Sequence, residues 1–478
     1  MKVLFLAAEA TPIIKVGGLA DVAGELPSYL QDLGVDVRVV IPFHTSIHRE
    51  EWVLERVVEV DVPSANGPAP GILYRTEAEG SVYYLVDGDP IRTVHGVYSD
   101  PYQDGFKFTF AFLAALQAME QLGWRPDLVH GHDWHVCAAL AWLHNNRDTV
   151  PFWRETASLL TIHNLPYMGA GSESALETYG IPQSDDPRLP DWARRMPLPL
   201  GIATSDWLNA VSPTYAEEIQ TSHFGHGLEG ILHDRRDRLV GILNGIDAKN
   251  WNPETDGDLP HRYSRQELTA RRAVKADLLD SVNLTPVTKT PLLGMVTRMD
   301  YQKGIDIALQ ALRDIQDETW QFLLLGTGDP YLEEMARSFG SEFEGRARVE
   351  IRFDPLLARR IYGGADMLLI PSRYEPAGLT QMIAMRYGCV PVVSATGGLK
   401  DTVEDYDETR SGTGFVFTPN EPQILSETIR RAITVFKDQR RWRGIQLRGM
   451  ARDFSWINSA REYVQLYEKA MIGRYAQW

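Results

Sequence analysis

Lys15 stands two residues ahead of Gly17 and Gly18 in the stretch KVGGLADVAGELP, residues 15–27. Glycines let an anion approach bare backbone N–H groups at a helix start, where the helix dipole and a nearby ammonium favour negative charge. The loop therefore suits a phosphate, although twin glycines also make ordinary tight turns. Arg298 and Lys303 are a second pair of cations, placed where VTRMDYQKGID leaves an apolar run. A forked guanidinium and a point-charge ammonium at that spacing can grip a diphosphate and neutralise a departing one. Two solvated surface cations would show the same spacing. In SRYEPAGLTQ, residues 372–381, Glu375 follows another apolar run. Gly378, Leu379 and Thr380 then open a helix, so a carboxylate and helix-start amides share one end of a strand. The plainer reading makes Glu375 a helix-initiating acid.

His130-Gly131-His132-Asp133-Trp134-His135 crowds three imidazoles and an acid into six residues. Their order differs from the HxHxDH of metallo-hydrolases and no later set of His and Asp completes a two-metal site, so no metal is assigned to it. His163, beside Asn164 at the end of the run Leu159 to Ile162, is a candidate sugar or proton partner or a satisfied structural histidine. Asp87-Gly88-Asp89 and Asp256-Gly257-Asp258 have the form of a metal-nucleotide triad, but Asp-Gly is first a turn signal and both are read as turns.

These residues need rigid elements to hold them. Residues 2–8 read as a buried strand, residues 19–33 as a helix with one apolar face containing Pro27, and residues 35–42 as a second strand. Such a strand, helix, strand unit belongs to a parallel sheet with right-handed crossovers. Further strand-like runs lie at 83–86, 128–130, 159–163, 208–211 and 240–243, and after the turn-rich crossing 248–290 the pattern restarts at 292–296, 321–325, 349–353, 367–370 and 390–393. The expected fold class is α/β, with two Rossmann-like doubly wound domains facing a cleft that holds the ligands. Gly17-Gly18-Leu19-Ala20-Asp21 finds an echo in Gly397-Gly398-Leu399-Lys400-Asp401, each after an apolar strand and opening a helix.

The chain has 478 residues and a formal charge of −16, so it repels phosphate backbones and anionic membranes; neither nucleic acid nor membrane is an expected partner. Its apolar runs are strand-sized, the N-terminal MKVLFLAAEATP meets Glu9 too early for a secretion signal, and only Cys137 and Cys389 occur. A cytoplasmic location with structural thiols is expected.

Taken together, KVGGLADVAGELP, HGHDWH, TIHNLPYMG, AVSPTYAEEI, ILNGIDAKNWNPETD, VTRMDYQKGID, SRYEPAGLTQM, TGGLKDTV and the terminal DFSW resemble the bacterial glycogen synthases and plant-type starch synthases in order along nearly the whole chain. The resemblance implies the GT-B fold, retention of configuration, no metal or other cofactor, and glucose transfer from ADP-glucose to the non-reducing 4-hydroxyl of an α-1,4-glucan. It implies an acceptor-side, starch-synthase-type domain over 1–245, a nucleotide-sugar-binding domain over 246–456, and a final helix over 457–478 packing back on the first domain. Carried over by position, Lys15, Gly17 and Gly18 meet the donor diphosphate, and Arg298 and Lys303 hold the departing phosphate. Gly378, Leu379 and Thr380 add amides, His163 meets the glucose 6-hydroxyl, Asp133 and Asn244 line the site, and Glu375 is the essential carboxylate. Gly397 and Gly398 lie near the donor, and Phe353 stacks on the base where relatives can carry Tyr. The chain departs from the family in Ala377, where a Cys is common, and in Val16, where Thr is common. UDP-glucose as donor and sugar-nucleotide 2-epimerisation are the alternatives, and the oligomeric state is left open.

Overall fold

Val3, Leu4, Phe5 and Leu6 are wholly buried in Lys2–Leu6 (β1), an unbroken apolar run of the kind that sheets covered on both faces require. Each such side chain contributes roughly 1.5–3 kcal/mol by leaving water. The strand pairs in parallel with Asp36–Pro42 (β2) on one side and with Leu128–His132 (β6) on the other. Between β2 and β6 come Glu55–Val62 (β3), Ala69–Ala78 (β4) and Ser81–Gly88 (β5); after β6 come Ala157–Ile162 (β7), Trp207–Ala210 (β8) and Leu239–Gly241 (β9). Together they make a nine-stranded sheet in the order β3-β4-β5-β2-β1-β6-β7-β8-β9.

The computed structural model describes residues 1–287, 289–409 and 411–475, and the chain divides into two units. One comprises Met1–Gly245 and the C-terminal residues from Trp456; the other is Ile246–Ser455. The second unit holds Leu292–Val296 (β10), Gln321–Gly326 (β11), Ala347–Ile351 (β12), Met367–Ile370 (β13), Val390–Ser394 (β14) and Phe415–Phe417 (β15). They form a six-stranded parallel sheet in the order β12-β11-β10-β13-β14-β15.

The first sheet is parallel from β5 through β9, as its strand-helix-strand start implies, but it also carries an antiparallel extension that the apolar runs do not announce. β3 pairs antiparallel with β4, and β4 with β5. In β3, ERVVEVDV, exposed charged residues are interspersed with valines, of which Val57 and Val58 are half-buried and Val60 and Val62 buried, so the strand is a half-solvated edge that a search for apolar runs passes over. Asp87-Gly88-Asp89 is also no free turn: Asp87 and Gly88 end β5, and the wholly buried Asp87 carboxylate accepts from Arg49 and Arg92. In Asp256-Gly257-Asp258, Asp256 is buried and accepts from the Tyr387 hydroxyl and from Arg359 at 3.0 Å.

The C-terminal helix, Trp456–Tyr475, is pinned to the first unit along its length. The Ser459 hydroxyl donates to the Leu243 carbonyl at 2.6 Å, the Tyr463 hydroxyl accepts from Asn209 at 2.8 Å, and the Tyr467 hydroxyl bonds His130 Nδ1 at 2.8 Å. Among the described residues no helix is long and apolar enough to cross a membrane.

In a doubly wound sheet, the loops leaving the two strands at the reversal of strand order diverge and open a crevice at the strands' carboxyl ends. The reversal lies between β1 and β6 in the first unit and between β10 and β13 in the second. Lys15 and Asp133 follow the first pair of strands, and Arg298, Lys303 and Glu375 follow the second.

Candidate functional site

In the second unit, Lys303 Nζ contacts both oxygens of Glu375, at 2.9 Å to Oε1 and 2.7 Å to Oε2, and the Ser372 hydroxyl donates to Oε2 at 2.8 Å. Several local features make this pairing possible. Asp300 caps the short turn Tyr301–Lys303 by accepting from the Lys303 N–H at 3.1 Å. Gly304 then takes φ +66°, and a Cβ there would lie 2.1 Å from the Pro371 carbonyl oxygen, so glycine lets the β10 loop close onto the end of β13. Asn420 Nδ2 donates to the carbonyls of Pro371 at 3.1 Å and Ser372 at 2.9 Å, and Gln302 Nε2 donates to the Tyr374 carbonyl at 3.1 Å. The pair is nearly enclosed, with side-chain exposures of 17% for Lys303 and 11% for Glu375.

Arg298 differs, with 65% of its side chain exposed and a loose 3.4 Å approach to Asp300, so its fork is available to an anion. Phe353 lies two residues beyond β12 and is 84% exposed, an uncovered ring at the sheet's carboxyl edge. Gly378, Leu379 and Thr380 form the partly exposed start of the helix Thr380–Arg386. Gln381 braces this turn, its amide donating to the carbonyls of Ala377 at 3.1 Å and Gly378 at 2.9 Å. The Gly398 N–H donates to the Glu375 and Pro376 carbonyls at 3.1 and 3.2 Å, so Gly397 and Gly398 form the seat of the Glu375 turn.

In the first unit, Lys15 Nζ is 2.6 Å from Asp21 in the first turn of the helix Gly18–Asp32. The Gly17 N–H is turned inward to the buried carboxylate of Glu9, which also accepts from the Val16 N–H. The expected amide contact of Gly17 is thus occupied by the protein's own anion. Gly18 is open, with nothing within 4 Å of where a Cβ would stand. The two copies of the Gly-Gly echo therefore have different uses: one is packed against backbone and the other borders open space.

Asp133 has φ +58°, a left-handed conformation uncommon for a residue with a side chain and of the kind that clusters at functional sites. Its Oδ1 accepts from the N–H groups of His163 at 2.7 Å and Asn164 at 3.3 Å, so Asp133 fixes the loop after β7 from its place after β6. The His163 ring shares a 2.9 Å hydrogen bond between Nε2 and His132 Nδ1. His130 is satisfied on both nitrogens, by Tyr467 and by the Thr161 hydroxyl at 2.7 Å, and is structural. Asn244, buried just beyond β9, and Asn164 each hold a buried side-chain oxygen with no hydrogen-bond partner among the described residues. Buried acceptors of this kind suit a ligand rich in hydroxyls. The sequence marks Glu9 only as a charge that breaks the N-terminal apolar run; its bond with Tyr98 spans 89 positions and belongs to no recognisable spacing.

Burial holds several imidazoles neutral: His44 is lowered to about 4, His135 and His163 to about 3, and His130 and His132 well below the usual value. As pH falls below about 6.5 the unfolded chain takes up these protons while the folded chain refuses them, so stability is lost toward acid, at about 1.4 kcal/mol per histidine per pH unit before the folded pKa is reached. Desolvation of Asp133, raised to about 7, and of Glu9, also raised, acts in the opposite sense, since both carboxyls gain protons in the folded state first. Five histidines outweigh two carboxyls. Thermal unfolding followed from about pH 7.5 to about pH 5 should therefore show a falling Tm, and a constant or rising Tm would contradict this balance.

The chain matches the starch synthase catalytic domain family over residues 2–234 and the glycosyl transferases group 1 family over residues 280–444. It is 38% identical to the glycogen synthase of Syntrophotalea carbinolica, over 98% of this chain and 99% of that protein. It is also 38% identical to the glycogen synthase of Moorella thermoacetica, over 100% of this chain and 98% of that one. The catalytic domain of starch synthase IV from Arabidopsis thaliana, solved bound to ADP and acarbose, matches with a TM-score of 0.90 at 31% identity, over 98% of this chain and 99% of that chain. Likeness that runs end to end, with one family model over most of the first unit and another over most of the second, places the chain in the glycogen and starch synthase family, retaining glucosyltransferases of the GT-B fold.

Proposed function

We propose that the protein transfers glucose from ADP-glucose to the non-reducing 4-hydroxyl of an α-1,4-glucan, in the cytoplasm and without a metal. The observation that carries this reading is the enclosed Lys303–Glu375 pair beside the exposed Arg298 at the reversal of the second sheet. Arg298 and Lys303 hold the diphosphate, with Lys15 and Gly18 as further contacts and the Gly378–Thr380 amides at its edge. Negative charge grows on the diphosphate as the glycosidic bond breaks, and fixed cations stabilise that growth more than they stabilise bound donor. Phe353 gives the adenine an uncovered face for stacking. That the starch synthase IV catalytic domain was solved bound to ADP supports a nucleotide-linked donor.

Glu375 faces the glucose as it gains positive charge. Both of its oxygens are already engaged by Lys303, and one of them also by Ser372, which weakens the carboxylate as a nucleophile. This favours retention by front-face attack, with the leaving phosphate accepting the acceptor's proton. His163 stays a neutral imidazole at working pH and contacts the glucose 6-hydroxyl as a hydrogen-bond partner, while Asp133 sets its loop and Asn244 meets sugar hydroxyls.

Nucleotide release measured from ADP-glucose and from UDP-glucose, each with and without glycogen and with a chelator present, tests the reading. Release from ADP-glucose that requires glycogen and survives chelation is the expected result. Faster release from UDP-glucose would reverse the donor assignment, and an isomerised sugar formed without acceptor would replace transfer by 2-epimerisation.

A further inference from the structure

Glu9 is 1% exposed, and among the described residues no basic side chain pairs with it. Three donors converge on its carboxylate: the N–H of Val16, the N–H of Gly17 at 3.1 and 3.2 Å, and the Tyr98 hydroxyl at 3.0 Å to Oε1. An ionised carboxylate taken out of water is retained at this depth only where hydrogen bonds replace its hydration. The donors are themselves held. Lys107, with 0% exposure, extends Nζ to Asp104 Oδ1 at 2.6 Å and to the Val97 carbonyl at 2.7 Å. Asp104 in turn accepts from the Ser99 N–H at 2.8 Å and the Ser99 hydroxyl at 2.9 Å. Tyr98 is thus fastened on both sides. On the other flank His44 Nε2 bonds the Ala8 carbonyl at 2.7 Å, fixing the backbone that carries Glu9.

We propose that Glu9, clamped by Tyr98, is a positioning residue that sets the Lys15–Gly18 loop for the donor's diphosphate. The inference rests on the reading of that loop as a diphosphate contact. Glu9 draws the Val16 and Gly17 amides inward, which leaves the open side of Gly18 and the ammonium of Lys15 as the parts of the loop that face an anion. It does not touch the donor: its oxygens are saturated by inward donors, and bare carboxylate against diphosphate would repel.

The test compares Glu9→Gln, Tyr98→Phe, Lys15→Ala and the Glu9→Gln/Lys15→Ala double variant for the KM of ADP-glucose, the KM of glycogen and Tm. Glutamine keeps the shape of Glu9 but brings an amide group against N–H donors, and phenylalanine removes one hydroxyl. Each single change is expected to raise the ADP-glucose KM about fivefold or more while the glycogen KM stays within about twofold. Because Glu9 acts through the loop, the double variant should be no worse than Lys15→Ala alone. Lowered Tm with an unchanged donor KM in both Glu9→Gln and Tyr98→Phe would reduce the cluster to scaffolding and overturn the proposal, as would fully additive losses. If Lys15→Ala leaves the donor KM untouched, the diphosphate reading of the loop fails instead, and this inference with it. Should Glu9→Gln not fold, Tyr98→Phe and its combination with Lys15→Ala decide by the same criteria.

Discussion

Glu375→Ala should lower kcat by at least about a hundredfold, in the range found when a transition-state contact of a preorganised site is removed. The change deletes the carboxylate facing the glucose, and it also leaves the Lys303 ammonium without its partner in a nearly closed site. Breaking an enclosed pair from one side costs more than the pair contributes, so the variant should also unfold at lower temperature, by an amount below the roughly 3–5 kcal/mol of fully buried cases. Lys303→Ala removes the other half and should lower kcat at least about tenfold, through the departing phosphate. The double variant separates the two roles. If the residues act as one unit, losing both costs little more than losing Glu375 alone, whereas independent action multiplies the losses. A Glu375→Ala enzyme with near-normal kcat and a lowered Tm would make the pair structural and remove Glu375 from the chemistry.

Gly398→Ala should be nearly as damaging, although a single methyl is added and no functional group is lost. The new Cβ would stand 1.8 Å from the Ala377 carbonyl oxygen and 2.5 Å from its carbon, both main-chain atoms that cannot rotate aside. The Glu375–Ala377 turn must withdraw, and with it go the hydrogen bonds from the Gly398 N–H and the contact of Glu375 with Lys303. Expected are a kcat reduced by about a hundredfold and a clear fall in Tm, since overpacking typically costs about 1–3 kcal/mol and here meets backbone. Gly18→Ala is the matched control, because its Cβ meets nothing within 4 Å. It should leave Tm unchanged and weaken only ADP-glucose binding. Equal behaviour of the two variants would mean that the two Gly-Gly turns do the same job.

The contrast shows where sequence pattern stops being informative. Both Gly-Gly turns follow apolar strands and open helices, and their shared Gly-Gly-Leu-x-Asp pattern does not separate them. The difference lies in what approaches from elsewhere in the chain: Ala377 for one, open space bordered by Glu9 for the other. Lys15 and Lys303 are similarly alike as loop cations, yet one is paired at the surface with Asp21 and the other is enclosed against Glu375. The missing strands have a simpler cause. β3 and β4 carry Glu55, Glu59 and Arg75 among partly buried residues, and a half-solvated edge sheds the apolar signal by which the buried β1, β6, β7 and β10 announce themselves.

Local order in the chain was sufficient for the α/β alternation, the restart of the strand pattern after the crossing, and the family to which the motifs belong, because periodic apolar runs and residue spacings are properties of short segments. The partners of Glu375, the inward turn of the Gly17 amide and the clamp from Lys107 through Tyr98 to Glu9 arise between residues far apart in the chain. No short-range pattern encodes such contacts: they exist once strand order brings β1 beside β6, and β10 beside β13, and so sets their divergent loops at one end of each sheet.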